Sequence, residues 1–135
     1  MPKFSEKSLA ILNTAHPDLI RLFMEVIKEY DCSIICGYRG KAEQEKAFNE
    51  GNSKAHYGAS PHNFIPSLAV DAVPWPSLWA DTKKLKELGG IVQIKAIDLG
   101  IEIMWGGNFK NFVDMPHWEL LHWKQIKSES VRDNI

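Results

Sequence analysis

Three residues of types that bind metal ions lie in the second half of the chain, next to segments typical of strands. His62 lies in SPHNFIPSL, Asp71 follows nine residues later in LAVDAV, and His117 begins HWELLHW. Because side chains alternate along a strand, Asp71 and His117 can point into one cleft, and His62 can close over them. Two imidazoles and one carboxylate, with a fourth position left to water, are typical of catalytic zinc sites. Calcium and magnesium prefer shells made entirely of oxygen.

Each of these residues also has an ordinary interpretation. A loop histidine is often exposed or hydrogen-bonded within the protein, and an aspartate in an apolar strand can be a cap or an ion-pair partner. Asp71, however, has alanine or valine at the two positions on either side, where burying an unpaired charge is costly. The combination therefore predicts that a positive charge lies beside Asp71.

Length, composition and charge exclude several classes of function. A chain of 135 residues, 44% of them apolar, fits one globular domain over residues 1–135. The net charge is -1 and the basic residues form no stripe, so we expect no nucleic-acid partner. We find neither a signal peptide nor a run of about 18 apolar residues that would span a membrane. A strand would hold Cys32 and Cys36 too far apart to bond, so both are expected to be reduced core residues.

The spacing of apolar residues predicts helices in the first third of the chain and strands after it. We expect helices over residues 5–12, 17–30, 41–50, 81–88 and 92–99. We expect strands at CSIIC, LAVDAV, IEIMW and HWELLHW, with a long functional loop between Gly51 and Leu68. This order predicts an α+β fold in which a small antiparallel sheet is flanked by helices.

Three segments of the chain share their motifs, and the order of those motifs, with a known family. They are CGYRGKAEQEKAFNEG, SPHNFIPSLAVDAVP and WGGNFKNFVDMPHWEL, spread over about residues 33–121. These segments resemble zinc peptidases that include D-alanyl-D-alanine carboxypeptidases and dipeptidases and the L-alanyl-D-glutamate endopeptidases of phage lysins. The phage endopeptidases are the most similar branch, since they share WGG and the pattern F-x-D-x-P-H.

The resemblance implies a hedgehog-like, D,D-peptidase-like zinc peptidase fold and a role for five residues. It implies that His62, Asp71 and His117 bind Zn²⁺, that Asp114 is the catalytic acid or base, and that Arg39 stabilises the tetrahedral intermediate. General acid–base help of this kind is worth about 10²- to 10⁴-fold. Losing one donor to an oxyanion costs on the order of 3 kcal/mol.

The roles implied for Asp114 and Arg39 each depend on the local conformation of the chain. Asp114 precedes His117 by three residues and would lie on the opposite face of a straight strand, so we expect a turn through residues 115–116 to bring it to the cleft. The ordinary interpretation of Arg39 is an exposed ion pair with Glu43, four residues later.

Further residues are candidates for contact with a peptide substrate, namely Ser60, Gln44, Trp105 and Trp118. Each has an alternative role: Ser60 can stabilise a loop turn, Gln44 can brace the site or face solvent, and the tryptophans can belong to the core. The sequence leaves these alternatives open.

Three polar residues near the proposed ligands do not fit the ligand motif. Glu119 shares a strand face with His117 and can orient its imidazole. His56 and His122 are each close in sequence to a proposed ligand but lie outside the pattern. We expect neither of these two histidines to bind the metal.

The chain departs from the family pattern in three ways. His62 and Asp71 are nine residues apart where seven is usual in the wider family, so we expect NFIPSL to bulge out, because Pro66 and Ser67 favour turns. Asn108 stands where a phage endopeptidase often has aspartate after WGG. We also expect no separate wall-binding domain, which leaves substrate recognition to the cleft.

Together these features predict a zinc-dependent hydrolase of the peptidoglycan stem peptide, an L-alanyl-D-glutamate endopeptidase acting as a phage endolysin. We expect a monomer that stays in the host cytoplasm, without a signal peptide, until a holin pore releases it to the wall. One alternative is a D,D-carboxypeptidase that removes terminal D-alanine, although such an enzyme usually needs export. The other is a non-catalytic hedgehog-like zinc-binding module, which has no use for a proton shuttle such as Asp114.

Overall fold

The fold is taken from a computed structural model that describes residues 2–76, 81–127 and 131–132. The helices in this part of the chain are α1 (Glu6–Leu12), α2 (Pro17–Val26), α3 (Lys41–Asn49), α4 (Thr82–Leu99) and α5 (Trp123–Ile126). The strands are β1 (Cys32–Cys36), β2 (Phe64–Ile65), β3 (Ala69–Pro74), β4 (Ile103–Trp105), β5 (His117–Leu120) and β6 (Val131–Arg132). Single 3₁₀ turns occupy Pro61–Asn63 and Gly106–Asn108.

A four-stranded antiparallel sheet is the centre of the fold, and its strands lie in the order β1, β3, β5, β4. In the pairing of β3 with β5, Asp71 lies opposite His117 and Val70 lies opposite Trp118. The other neighbour of Asp71 across the sheet is Cys36 on β1. A small antiparallel sheet with helices confirms the predicted α+β class.

Helix α1 packs on β1, helix α4 packs on β3 and β4, and helix α2 packs against α4. The predicted apolar face of α2 is confirmed by its fully buried residues, Leu19, Leu22, Phe23 and Val26. Ser5 caps α1 by accepting a hydrogen bond from the Ser8 N–H at 3.1 Å. The regular part of α2 is shorter than predicted, because the chain after Val26 continues as turns.

A single helix, α4, replaces the two helices predicted over residues 81–88 and 92–99. The prediction of a break was wrong, because the helix continues through the two glycines and Gly89 packs against Trp105. A Cβ atom on Gly89 would lie 2.8 Å from the Trp105 ring, so this position admits only glycine without a shift of that ring. Gly100, with φ at +69°, ends the helix in the left-handed conformation. None of the described helices has the length and apolar character that crossing a membrane requires.

The strands near the ligands are shorter than predicted. HWELLHW is extended only through Leu120, since Trp123 begins the short helix α5. IEIMW is extended only over Ile103–Trp105. The predicted bulge after His62 is confirmed: Phe64–Ile65 leaves to pair with β6, and the Leu68 N–H donates to the Pro61 carbonyl at 3.0 Å to close the loop.

Candidate metal centre

The three predicted ligands come together on the side of the β3–β5 pair that faces the cleft. The 3₁₀ turn Pro61–Asn63 carries His62, while Asp71 and His117 face each other across the two strands. His62 Nε2 lies 3.2 Å from Asp71 Oδ1 and 3.3 Å from His117 Nδ1. His117 Nδ1 lies 3.0 Å from the same Asp71 oxygen. Both imidazoles are deeply buried, with 1% and 6% of their residues' surface exposed.

The outer nitrogen of each imidazole has a fixed acceptor. His62 Nδ1 lies 2.7 Å from the Gly37 carbonyl oxygen, and His117 Nε2 lies 2.8 Å from Glu119 Oε1. A carbonyl and a carboxylate can only accept, so each of these nitrogens carries the proton of a neutral imidazole. The other nitrogen of each ring then presents a lone pair to Asp71. Glu119 thus orients the His117 imidazole, a role that the sequence left open.

Three electron-rich atoms therefore face one another, which is unfavourable unless a positive charge lies among them. Burial alone would lower the pKa of His62, but Asp71 and Cys36 outweigh burial and raise that pKa to about 10. Burial alone would raise the pKa of Asp71, but the two imidazoles hold it well below its ordinary range. Both pKa values are thus shifted in the direction that favours a positive charge at this point.

Cys36 belongs to the same neighbourhood, although we predicted it only as a core residue. Cys36, His62 and Asp71 each offer a ligand atom within 4.8 Å of the other two, so these residues form a group that could hold a metal ion. Its Sγ atom, however, lies 3.7 Å from His62 Nδ1, the protonated nitrogen. The free lone pairs converge instead between His62, Asp71 and His117. The pairing of β1 with β3 is the signal that places Cys36 here, and the sequence alone does not reveal it.

Arg39 lines the cleft in front of this group. Its Nε–H donates to Gln44 Oε1 at 2.8 Å, and its backbone N–H donates to the His62 carbonyl at 2.8 Å. The alternative ion pair with Glu43 is not among those formed in the described part of the chain. The guanidinium is thus held at one edge by Gln44, and the backbone of Arg39 is joined directly to the turn that carries His62.

Gln44 is fully buried and connects Arg39 to the loop after α3. Its Nε2 donates to Ser53 Oγ at 2.9 Å and to the Ala55 carbonyl at 2.7 Å. Its Oε1 also accepts from Asn63 Nδ2 at 3.0 Å. The structure therefore places Gln44 as a brace and corrects the expectation that it contacts substrate.

Asn63 completes this network and was missed by sequence analysis. Its Oδ1 accepts from the backbone N–H groups of Gly58 and Ser60 at 2.9 and 3.1 Å, and its Nδ2 also donates to the Arg39 carbonyl at 3.0 Å. Ser60 Oγ in turn accepts from the His62 N–H at 3.2 Å. The pattern Ser-x-x-Asn in SPHN is a capping signal that could have identified it. Ser60 lines the cleft and also has the turn-stabilising role given above as its alternative.

Asp114 is brought to the cleft by the predicted turn. Its carbonyl accepts from the His117 N–H at 3.1 Å, which closes the chain through Met115 and Pro116. Burial, together with the charge of Asp71, raises the pKa of the Asp114 carboxyl above its ordinary value. A carboxyl with a raised pKa is suited to taking up and releasing a proton near neutral pH.

The cleft has a volume of about 930 Å³ and opens between two loops. The loop after α3 contributes residues 51–55, and the loop after the 3₁₀ turn Gly106–Asn108 contributes residues 109–112. Its floor contains the three potential ligands together with Asp114 and Glu119. The arrangement places a group of residues that could hold a cation at the base of an open groove.

Trp105 and Trp118 are not among the described residues that line this cleft. Trp118 is fully buried on the core side of β5 and stacks on Trp105 with ring centres 5.5 Å apart. Trp105 Nε1 donates to the Met115 carbonyl at 2.7 Å. Their expected contact with substrate is corrected to support of the sheet and of the turn before His117.

His56 and His122 stay apart from the ligand group, as expected. The side chain of His56 is exposed and lies 3.0 Å from Glu45, and that of His122 is exposed and lies 3.6 Å from Glu102. A single exposed carboxylate partner is an ordinary surface contact.

Comparison with known proteins agrees with this geometry. The family model for the phage L-alanyl-D-glutamate peptidase matches residues 1–121. Among solved structures, the L-Ala D-Glu endopeptidase ChiX of Serratia marcescens superposes with a TM-score of 0.77 and 26% sequence identity. The superposition covers 92% of this chain and 94% of the Serratia chain.

Proposed function

This chain belongs to the phage L-alanyl-D-glutamate peptidase family, and we propose that it is a zinc-dependent endopeptidase that cleaves the bond between L-alanine and D-glutamate. As a member of this family it is a peptidase, and its function is peptidoglycan hydrolysis. The observation that carries the zinc proposal is the convergence of His62 Nε2, Asp71 Oδ1 and His117 Nδ1 on one point.

The spacing of these atoms fits zinc. Two ligand atoms at about 2.0 to 2.1 Å from a tetrahedral zinc ion are about 3.3 Å apart. The separations among His62 Nε2, Asp71 Oδ1 and His117 Nδ1 are 3.0, 3.2 and 3.3 Å. Zinc held by these residues would supply Lewis acidity and lower the pKa of a water molecule at the site. Glu119 and the Gly37 carbonyl keep both imidazoles in the tautomers that binding requires.

Asp114 acts as the general base and then the general acid. Its carboxylate takes the proton from the attacking water, and its carboxylic acid returns that proton to the amino group of D-glutamate as the bond to the alanine carbonyl carbon breaks. The raised pKa of Asp114 supports both steps, because the group must be able to exist in either form.

Arg39 stabilises the negative charge that develops on the carbonyl oxygen. Its Nε donates to Gln44 and its Nη1 lies 4.0 Å from Cys36 Sγ, so that the guanidinium is positioned as a donor at the cleft. A donor that is already positioned needs no reorganisation when charge develops. Arg39 therefore contributes to the transition state and not to the strength of metal binding.

Digestion of purified muropeptides with mass analysis of the products tests this proposal. A new N-terminal glutamate, lost with a chelator and restored by added zinc, is the expected result. Release of terminal D-alanine would instead indicate the carboxypeptidase. No cleavage by a folded, zinc-loaded protein would indicate the binding module. The Asp114→Asn variant is the matched control, since it should bind zinc without cleaving.

We further propose that residues 1–135 suffice for activity as a monomeric endolysin, made in the host cytoplasm and released to the wall through a holin pore. Membership of a phage peptidase family supports this proposal. Expression in host cells should cause lysis only together with a holin. Lysis by the protein alone would contradict the route.

A further inference from the structure

A lysine stands where the two loops that border the cleft meet. Lys54, in the loop over residues 51–55, places its Nζ 5.0 Å from the centre of the Phe112 ring in the opposite loop. Both residues line the cleft. A cation over an aromatic face is attracted by the ring and still has its ammonium protons free for an anion. The contact therefore holds a positive charge at the cleft mouth.

Hydrogen bonds from a buried residue fix the backbone on both sides of this lysine. Gln44 Nε2 donates to Ser53 Oγ and to the Ala55 carbonyl, and the Ala55 N–H donates to Ser53 Oγ at 3.2 Å. Gln44 also holds the Nε of Arg39 at the base of the cleft. The fully buried amide of Gln44 thus positions Arg39 at the base of the cleft and the backbone around Lys54 at its mouth.

The carboxylates of the cleft do not neutralise Lys54. Asp71 and Glu119 are committed to the two imidazoles. Asp114 is partly buried and faces the ligand group. Throughout the described residues, no carboxylate forms an ion pair with Lys54. The lysine is available to an anion that enters from solvent.

The glutamate next to the cleaved bond can supply such an anion. Glutamate has two carboxyl groups, and only one of them can continue the peptide chain. The other is ionised at neutral pH unless it is amidated, because its ordinary pKa is about 4.3. The substrate therefore carries a carboxylate within one residue of the bond that is cut.

We propose that Lys54 is a specificity-determining residue that binds this glutamate carboxylate and makes the enzyme favour peptides in which it is not amidated. The inference rests on the proposed function and adds the group that recognises the substrate on the glutamate side. Phe112 and Gln44 are positioning residues for Lys54.

Two synthetic peptides test the inference. Both contain L-alanyl-D-glutamate and an amidated C-terminus, and they differ only in whether the second glutamate carboxyl is a carboxylate or a primary amide. Values of kcat and KM are measured for the zinc-loaded wild type and for Lys54→Met, Lys54→Arg and Lys86→Met. Lys86 is an exposed lysine of α4, outside the cleft, and is the matched control.

The wild type should cleave the carboxylate peptide about tenfold more efficiently than the amide. Lys54→Met should lose this preference through a raised KM for the carboxylate peptide, with kcat and the amide peptide unaffected. Lys54→Arg should keep most of the preference, and Lys86→Met all of it. A purely structural role for Lys54 would lower activity on both peptides alike.

Equal losses on both peptides, or no loss in Lys54→Met, overturn the inference while leaving the proposed function intact. Equal cleavage of the two peptides by the wild type also overturns it, without reliance on the folding of any variant. A wild-type enzyme that cuts neither peptide at the alanyl–glutamate bond overturns the proposed function, and the inference with it.

Discussion

Strand β5 turns Trp118 and Leu120 towards the core and His117 and Glu119 towards the cleft. The two faces bury their side chains to a similar depth, since His117 has 6% of its surface exposed and Leu120 has 3%. On the core face the neighbours are apolar and interact without direction. On the cleft face the two nitrogens of His117 lie at hydrogen-bond distance from particular carboxylates, Asp71 Oδ1 at 3.0 Å and Glu119 Oε1 at 2.8 Å.

Alternate residues of β5 therefore have different roles. Apolar burial stabilises the folded state, and loss of a core side chain leaves a cavity. The cleft face gathers groups that repel one another until a cation binds, an arrangement that favours function over stability. Substitutions on the two faces should therefore be separable, with one set lowering the free energy of unfolding and the other lowering metal binding or catalysis.

Removal of a ligand should produce the largest effect on the cleft side. In His62→Ala we expect activity at background and loss of bound zinc, because two remaining ligands do not make a zinc site. Metal content after dialysis and muropeptide hydrolysis measure both. His122→Ala, which removes an exposed histidine, should change neither. Stoichiometric zinc in His62→Ala would disprove its assignment as a ligand.

Asp114→Asn should separate catalysis from metal binding. The variant keeps the shape of the side chain but cannot accept the proton, so we expect activity to fall about 10²- to 10⁴-fold. Zinc content should equal that of the wild type. Metal loss in this variant would mean that Asp114 is a ligand and that the base lies elsewhere.

Leu120→Ala tests the core face next to the cleft. We expect the free energy of unfolding to fall by about 3 kcal/mol, because the leucine is almost fully buried. Urea denaturation of the metal-free protein measures the change. The zinc affinity and kcat of the folded variant should be retained at low temperature. A drop in zinc affinity would show that the two faces are coupled.

Glu119→Gln is the matching change on the other face, one residue away. We expect zinc affinity to fall about 10- to 100-fold, since the amide supports the His117 imidazole less strongly than a carboxylate. The free energy of unfolding without metal should barely change, because glutamine can still accept the hydrogen bond. Competition with a chromophoric chelator gives the affinity, and Glu102→Gln is the control for loss of a surface charge.

The smallest expected effect concerns strand β1, which has one cysteine at its core end and one at its cleft end. Burial raises the pKa of the Cys32 thiol to about 12, so at pH 8 only about one molecule in 10⁴ carries the thiolate. Cys36, at the cleft end of the strand, is partly exposed. Alkylation followed by peptide mass analysis should find Cys36 modified first. Equal rates at the two positions would show that the core end of β1 opens readily.

Periodic patterns accounted for most of the elements and for the direction of the ligands. The apolar face of α2 and the alternation along β3 and β5 follow from residue spacing alone, and they placed Asp71 and His117 on a common side. The roles proposed for Asp114 and Arg39 came from the resemblance to the family. The turn before His117 was predicted because, without it, the Asp114 carboxylate would lie on the opposite face of the strand from His117.

The remaining features depend on contacts between distant parts of the chain. Gly89 continues α4 because the Trp105 ring packs on it, a contact that no local propensity describes. Gln44 is a brace because three separate segments supply its partners. Cys36 lies beside Asp71 only through the register of β1 and β3. Local sequence patterns carry no information about any of these three contacts.

The closed loop between His62 and Asp71 bears on how this site tolerates insertions and deletions. The Leu68 N–H reaches the Pro61 carbonyl across the loop, so its outer residues can change in number while both ends stay in place. A single residue gained within β5 would instead exchange its faces and send His117 and Glu119 into the core. Changes of chain length during divergence should therefore collect at residues 65–66, the outer part of the loop, and be absent from residues 117–120.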